Sequence, residues 1–246
     1  MTLTRRKLII GGSSIAAGGL VASVTANKYP LDIKSPAEAA DAFTYTMQRL
    51  LLSENALVRE FDRSMISKNF PAINTVNPED DEYQRLRRND FEEWRLPIDG
   101  LVERPMALSL ADLKQFTSRT QITQHNCVDG WSAIAEWTGV QIFRVLNYVG
   151  MKPEARFIGF ECWDGWWQVC DMVDAFHPQS MITYGMNGGA LPIRHGAPVR
   201  LRLERQLGYR SLKYVKRMTL LATAREFKNG RGTSSSPYGY QWHAGI

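Results

Sequence analysis

Apolar and polar residues along the chain follow helical spacing in some stretches and strand-like spacing in others. Ser35-Pro36-Ala37-Glu38 is typical of a helix start, and apolar side chains then recur at helical spacing as far as Leu51. Further helices are predicted to open at Ser109 and to end at Gly150. Strand-like runs occupy residues 94–102, 121–127, 156–163, 166–173, 198–204 and 214–222. Because strands and helices do not alternate regularly, the pattern predicts an α+β fold rather than a doubly wound sheet.

A β-hairpin is predicted where Asp164-Gly165 separates two strand-like runs. With a two-residue turn, Cys162 pairs with Trp167 and Cys170 pairs with Gly159. The two thiols then point to opposite faces of the ribbon, which makes a disulfide between them geometrically poor. We therefore expect no disulfide in this chain, which has three cysteines.

The composition is that of a globular protein, with 44% hydrophobic and 22% charged residues. The net charge is +5, and residues 1–26 contribute three of those charges. The nearly balanced remainder argues against nucleic-acid binding, which needs a contiguous basic surface. Positive charge is nonetheless concentrated in residues 191–231, where eleven lysines and arginines face only Glu204 and Glu226. This run is either a solvated basic face or a site for an anion held inside the fold.

The N-terminus carries Arg5-Arg6, then Lys7 and an apolar, glycine- and alanine-rich run as far as Val24. This pattern resembles a twin-arginine export signal, with a plausible cleavage site at Val24-Thr25-Ala26. The apolar run is too mild to predict a transmembrane helix. Because the twin-arginine route carries proteins that are already folded, the signal favours a periplasmic protein that receives its cofactor before export.

Cys127 follows a strand-like run and precedes a turn, within Gln124-His125-Asn126-Cys127-Val128. A cysteine in that setting is either a small buried apolar residue or a functional thiol. Zinc binding with His125 is poorly supported, because the other histidines offer no metal-ligand spacing. A cysteine–histidine nucleophile is equally unsupported, since no base is located.

Two separated segments resemble the sulfite oxidase family of molybdopterin enzymes, and within it the branch of periplasmic protein-methionine-sulfoxide reductases. The first segment is Cys127-Val-Asp-Gly-Trp-Ser-Ala-Ile-Ala-Glu-Trp-Thr-Gly139, around the family's metal-binding cysteine. The second runs from Thr183 to Arg200, includes His195-Gly196-Ala197-Pro198, and continues through Gly208, Ser211 and Lys213. The likeness covers roughly residues 65 to 225. It implies a sulfite-oxidase-type molybdopterin-binding fold with mixed β-sheets and peripheral helices.

The resemblance also implies how the chain holds molybdenum–molybdopterin. Cys127 would be the protein ligand to the metal, since a soft thiolate suits a molybdenum centre whose other sulfurs come from the pterin dithiolene. The metal and the basic surroundings are expected to keep this thiol deprotonated. The other implied cofactor contacts are His195 and Arg200, Ser211, Leu212 and Lys213 at the phosphate, and also Asn69 and Cys162. Cys162 departs from the threonine that the reductase branch has at its position.

The residues after Cys127 bear on the reaction. Val128-Asp129-Gly130-Trp131 stands where sulfite oxidases have a Gly-Asn-Arg-Arg-like run that helps to bind an oxyanion, and an aspartate there would repel a small anion. Tyr184 stands where the oxidases have an active-site tyrosine, and would donate a proton to the transferred oxygen or serve as a structural residue. We expect oxygen-atom transfer that reduces an organic S-oxide or N-oxide. Sulfite oxidation is the alternative reaction, and a cofactor-binding protein without turnover is the alternative class.

The matched segments divide the chain into four parts. These are an export signal (1–26), a helical and surface-wrapping segment (27–93), the molybdopterin-binding core (94–228) and a tail (229–246). Because the chain has no Cys-x-x-Cys-His haem motif, we expect its electrons to come from a membrane haem protein or a soluble cytochrome. We also expect it to lack the immunoglobulin-like dimerisation domain of the oxidases. The tail either docks the electron donor or wraps the core.

Overall fold

The computed structural model describes residues 29–54 and 56–246, in two compact units, Met1–Ser53 and Glu54–Ile246. In the described part of the first unit, helix α1 (Pro36–Leu51) begins as predicted. The Ser35 hydroxyl accepts a hydrogen bond from the Glu38 N–H at 3.2 Å, and Pro36 occupies the first turn. The predicted export signal lies outside the described residues. Within the described residues, no helix is both long enough and apolar enough to cross a membrane.

The second unit contains two five-stranded sheets. Its strands are β1 (Arg95–Gly100), β2 (Met106–Ser109), β3 (Ser118–Asn126), β4 (Ser132–Gln141), β5 (Phe157–Cys162), β6 (Trp167–Asp171), β7 (Met181–Met186), β8 (Gly189–Ala190), β9 (Arg200–Arg202) and β10 (Val215–Leu221). One sheet has the order β2-β1-β10-β5-β6, with β1 parallel to β10 and the other pairs antiparallel. The other has the order β3-β4-β7-β8, with β9 also on β7, and is antiparallel throughout.

Short helices flank the sheets: α2 (Asp81–Arg88), α3 (Leu110–Gln115), α4 (Ile142–Val149) and α5 (Met172–Phe176). Helix α3 opens with a reciprocal pair of hydrogen bonds between Ser109 and Asp112. Helix α4 ends at Gly150, whose φ of 72° is left-handed and suits glycine. Both helix boundaries confirm the sequence pattern. The predicted α+β class is confirmed, with one mixed sheet and peripheral helices.

The hairpin between β5 and β6 forms, but its predicted register was wrong by one residue. Glu161 pairs with Trp167 and Ile158 pairs with Cys170, because Trp163 joins Asp164 and Gly165 in a three-residue loop, in which Gly165 has a φ of 82°. Cys162 and Cys170 therefore point to the same face, not to opposite faces. They remain four residues apart along the ribbon, roughly 13 Å, which is too far for a disulfide. All three cysteines are free.

The tail is tied to the core by backbone hydrogen bonds. The Val169 N–H donates to the Gly232 carbonyl at 2.7 Å, and the Leu207 N–H donates to the Ala244 carbonyl at 2.8 Å. Trp242 is buried with 2% exposure. Of the two roles considered for residues 229–246, these contacts support wrapping of the core.

A buried ion pair joins the end of β9 to β3. Arg202 and Glu204 share two hydrogen bonds, at 2.9 and 2.7 Å, and their side chains are 2% and 0% exposed. The Gln121 amide, on β3, also donates to Glu204 at 3.0 Å. Both charges are thus compensated inside the protein, which burial requires.

We predict that Glu204→Gln destabilises the protein by roughly 3–5 kcal/mol, because it leaves the Arg202 charge buried without a counter-charge. Chemical denaturation of the cofactor-free protein measures this free energy of unfolding. Glu82→Gln is the matched control, because it removes an exposed partner of Arg85 and should barely change stability. Equal stability of Glu204→Gln and the wild type would show that the ion pair is not needed.

Candidate active site

Five stretches of chain that are distant in sequence surround an open cavity of about 360 Å³. They are segment 70–74, the end of β3 with loop 127–131, the turn 164–166, segment 194–213 and part of the tail, 235–240. Six of the nine predicted site residues line this cavity: Cys127, His195, Arg200, Ser211, Leu212 and Lys213.

Cys127 is held in a tight turn directly after β3. Its N–H donates to the Trp131 carbonyl at 2.9 Å, and its carbonyl accepts from the Gly130 N–H at 3.2 Å. Gly130 has a φ of 88°, a conformation that glycine adopts without strain. The turn presents the half-buried Cys127 thiol to the cavity.

The protein surroundings by themselves favour the protonated Cys127 thiol, so the deprotonation expected from the metal and the basic surroundings depends on the metal. Its Sγ–H donates to the Asp129 carboxylate at 3.5 Å. Burial raises the pKa of Cys127, and the nearby Asp129 charge raises it further. A bound metal ion would have to displace the thiol proton itself.

Arg200 is buried beside the cavity with 3% exposure. Its guanidinium donates to the carbonyls of His195 and Ser211, at 3.0 and 2.9 Å, and lies 5.0 Å from the centre of the Trp137 ring. Its Nε has no hydrogen-bond partner in the part of the chain that the structure describes. Burial lowers the pKa of Arg200 to about 9, and the Arg202 charge contributes. This is a cation whose hydrogen-bonding capacity is not fully used.

Lys213 adds to the positive character of this wall, and His195 lies beside it as a neutral ring. The Lys213 ammonium donates to the Ile73 carbonyl at 2.7 Å and also to the Thr75 carbonyl, so it ties segment 70–75 to the cavity. Burial lowers the pKa of Lys213 to about 8, with the Arg200 charge as the next cause. Burial likewise lowers the pKa of His195 to about 4. A bound anion would compensate the partly buried positive charge of Lys213.

The basic run 191–231 is therefore divided between several places. Only Arg194, Arg200 and Lys213 of its eleven cations line the cavity. Arg202 and Arg210 are fully buried and hydrogen-bonded elsewhere in the core. The interpretation of an internal anion site therefore concerns these three residues, and not the run as a whole.

Three predicted site residues do not line the cavity. Asn69 is exposed, although the adjacent Phe70 is a lining residue. Cys162 is buried in the hydrophobic core at the end of β5. Tyr184 hydrogen-bonds to Ser118, at the start of β3, whereas Cys127 follows the other end of that strand. A direct role of Tyr184 at the metal is not supported by this position.

Several lining residues were not predicted as site residues. Seven of them have aromatic rings: Phe70, His125, Trp131, Trp166, Tyr209, Tyr238 and Tyr240. Phe70 packs against both His125 and His195, with ring centroids 5.4 and 5.5 Å apart. His125 lies two residues before Cys127, near the end of β3. That proximity in sequence was the available signal for His125.

A comparison with known protein families matches residues 83–228 to the family described as oxidoreductase molybdopterin binding domain. The match includes Cys127 and the whole cationic wall.

The chain belongs to this family.

Similar proteins are found among molybdopterin oxidoreductases and their subunits. The chain is 32% identical over 241 residues to YedZ1 of Azospira oryzae, provisionally named a protein-methionine-sulfoxide reductase subunit, covering 98% of this chain and 86% of that protein. It is 26% identical over 172 residues to the protein-methionine-sulfoxide reductase catalytic subunit MsrP of Campylobacter jejuni, covering 63% of this chain and 57% of MsrP. A solved structure, the sulfane dehydrogenase SoxCD from Paracoccus pantotrophus, aligns with a TM-score of 0.51 at 25% identity, over 55% of this chain and 41% of that one.

These comparisons confirm the predicted sulfite-oxidase-type fold and an oxidoreductase that binds molybdopterin. The residues present in the cavity fit that group. Cys127 offers a soft sulfur ligand at one place in the wall. The unpartnered Nε of Arg200, with Arg194 and Lys213, offers donors and positive charge for a terminal phosphate.

We predict that the cofactor-free protein binds inorganic pyrophosphate in this cavity, and that its affinity falls as the pH rises through about 8. The reason is that Lys213, with a pKa lowered to about 8, loses its charge there. Calorimetric titration at several pH values measures this. Lys213→Gln should weaken binding by roughly tenfold below pH 8 and flatten the pH dependence.

Lys216→Gln is the matched control, since the Lys216 ammonium lies 4.0 Å from the Trp163 ring and outside the cavity lining. It should retain the wild-type affinity and pH dependence. The same pH dependence in Lys213→Gln as in the wild type would exclude Lys213 as the titrating group.

Proposed function

We propose that this protein is an exported reductase of organic sulfoxides that works with molybdenum–molybdopterin ligated by Cys127. The observation that carries this proposal is the shared cavity, in which the Cys127 thiol and the cationic wall of Arg194, Arg200 and Lys213 face the same space. The thiol suits a soft metal and the cationic wall suits a phosphate, and the molybdenum cofactor contains both groups.

When bound, the molybdenum cofactor supplies two-electron oxygen-atom transfer. In the net reaction, two electrons and two protons convert the sulfoxide oxygen to water and leave a thioether. The protein side chains bind and orient the cofactor. Cys127 holds the metal, while Arg200 and Lys213 hold the phosphate. Phe70 and Trp131, whose rings pack 6.0 Å apart, cover part of the cavity with apolar surface and limit the access of water.

Asp129 and Trp131 favour a neutral substrate over an anionic one. Both line the cavity within four residues of Cys127, and the Asp129 carboxylate contacts the thiol. A negative charge beside the metal ligand repels sulfite, whereas an indole accommodates the apolar groups of an organic sulfoxide. Sulfite oxidation loses its main support, because Tyr184 lies away from this end of β3.

The relatives support the substrate class and an electron partner. MsrP is named for protein-methionine-sulfoxide reduction, and both MsrP and YedZ1 are named as subunits. The substrate we propose is accordingly a methionine sulfoxide, free or in a protein. We also propose that electrons come from a membrane haem protein or a soluble cytochrome. The Arg5-Arg6 motif supports export to the periplasm by the twin-arginine route.

The central test is turnover with a reduced viologen dye as an artificial electron donor. The loaded wild type should reduce methionine sulfoxide. The kcat of Cys127→Ser should be lower by a factor of about a hundred or more, because the metal loses its thiolate ligand. Cys170→Ala is the matched control, since this buried thiol lies outside the cavity lining. Sulfite oxidation without sulfoxide reduction in the loaded wild type would contradict the proposal.

A second prediction concerns discrimination against anions. Asp129→Asn should strengthen inhibition by sulfite roughly fivefold at low ionic strength, because it removes a repulsive charge beside the substrate position. Inhibition constants measured in the sulfoxide assay test this. Glu226→Gln removes one negative charge at an exposed position far along the chain and should leave the constants unchanged. Identical inhibition of Asp129→Asn and the wild type would assign selectivity to other residues.

A further inference from the structure

His125 is a cavity residue for which the function proposed above has no use. It lies on β3, two residues before Cys127 in the turn that follows, and both side chains line the cavity. The side chain is buried, with 8% exposure, and lines the cavity. A buried polar ring in that position needs a defined hydrogen-bonding state.

The position of its proton follows from its partner. His125 Nδ1 lies 2.7 Å from an Arg202 guanidinium nitrogen. A guanidinium can only donate hydrogen bonds, so Nδ1 must accept and carries no proton. The ring N–H of His125 is therefore on Nε2.

Arg202 is itself fixed, so the state of His125 is imposed by the fold. The Arg202 guanidinium makes two hydrogen bonds to Glu204, and it lies 4.4 Å from the centre of the Trp137 ring. Strands β3, β4 and β9 each contribute a member of this buried group. Rotation of Arg202 away from His125 would break a buried ion pair, which is strongly unfavourable.

The Nε2 edge of the ring lies against Gly208. A Cβ atom at that position would be 2.2 Å from His125 Nε2, so the close approach depends on a glycine. Gly208 also lines the cavity and begins the stretch that leads to Ser211, Leu212 and Lys213. The Nε2–H donor of His125 thus lies against the segment of the cavity wall that leads from Gly208 to Lys213.

We propose that His125 is a cofactor-binding residue, which donates a hydrogen bond from Nε2 to an acceptor atom of the bound molybdopterin. The buried Arg202–Glu204 pair sets the tautomer that makes this possible. The proposal rests on the cofactor in the proposed function, and does not depend on which substrate is reduced.

The test compares cofactor content in three variants produced in a host that makes molybdopterin. In His125→Gln, the amide oxygen can accept from Arg202 while its N–H donates into the cavity, so the polarity of the fixed tautomer is kept. His125→Leu removes both functions. His177→Gln is the matched control, because His177 is a buried histidine that bonds to the Ala56 carbonyl and does not line the cavity. Molybdenum and released pterin are measured per folded monomer after gel filtration.

We expect the cofactor content of His125→Leu to be about tenfold lower than that of the wild type. The cofactor contents of His125→Gln and His177→Gln should stay near the wild-type value. Full loading of His125→Leu would overturn the proposal, as would equal losses in all three variants. These readouts need no substrate. Failure of sulfoxide reduction with normal loading would therefore contradict the proposed function and leave this inference standing.

Nitrogen NMR of the wild type tests the hydrogen bond from His125 to the cofactor, even if His125→Leu does not fold. In cofactor-free protein, we expect the His125 proton on Nε2, and in loaded protein the same proton should exchange more slowly with water. A proton on Nδ1, or an exchange rate that loading leaves unchanged, would overturn the proposal.

Discussion

The buried guanidinium of Arg200 is the interaction on which the rest of the site depends. Burial of a charge without a counter-charge costs several kcal/mol, and Arg200 meets this cost with two backbone carbonyls and the face of Trp137. Arg202, two residues further on the same strand, has Glu204 as its partner. Arg200 pairs with no carboxylate among the described residues, so the strand holds one cation satisfied by the protein and one that an anion would satisfy. Cofactor binding would then stabilise the fold by mass action.

Side chains of both charges line the cavity, with Asp129 and Asp164 among them. Arg194, Arg200 and Lys213 gather on one wall, whereas Asp129 contacts the thiol of Cys127. A phosphate is attracted to the first region, and a small anion is repelled from the second. The same arrangement therefore accounts both for the cofactor and for a neutral substrate. Deprotonation of Cys127 depends on the metal, because the protein by itself raises the pKa of this thiol.

Local signals predicted much of the fold, and failed where a contact depends on distant residues. The Ser109 cap and the Gly150 terminus follow from short-range chemistry, and both were confirmed. The hairpin register was wrong because Trp163 enters the loop, a choice between turn types that Asp-Gly alone does not decide. Six residues taken from the family resemblance meet in the cavity. His125 was not predicted as a cofactor-binding residue, since its partner Arg202 is 77 residues away and no local pattern reveals that contact.

The central claim is that Cys127 ligates molybdenum in this cavity, and X-ray absorption at the molybdenum edge tests it most directly. The measurement counts the sulfur neighbours of the metal in the loaded wild type and in Cys127→Ser. We expect about one molybdenum per chain and one sulfur neighbour fewer in the variant. An unchanged sulfur shell in Cys127→Ser, or a wild type that takes up no molybdenum in a host that makes the cofactor, would contradict it.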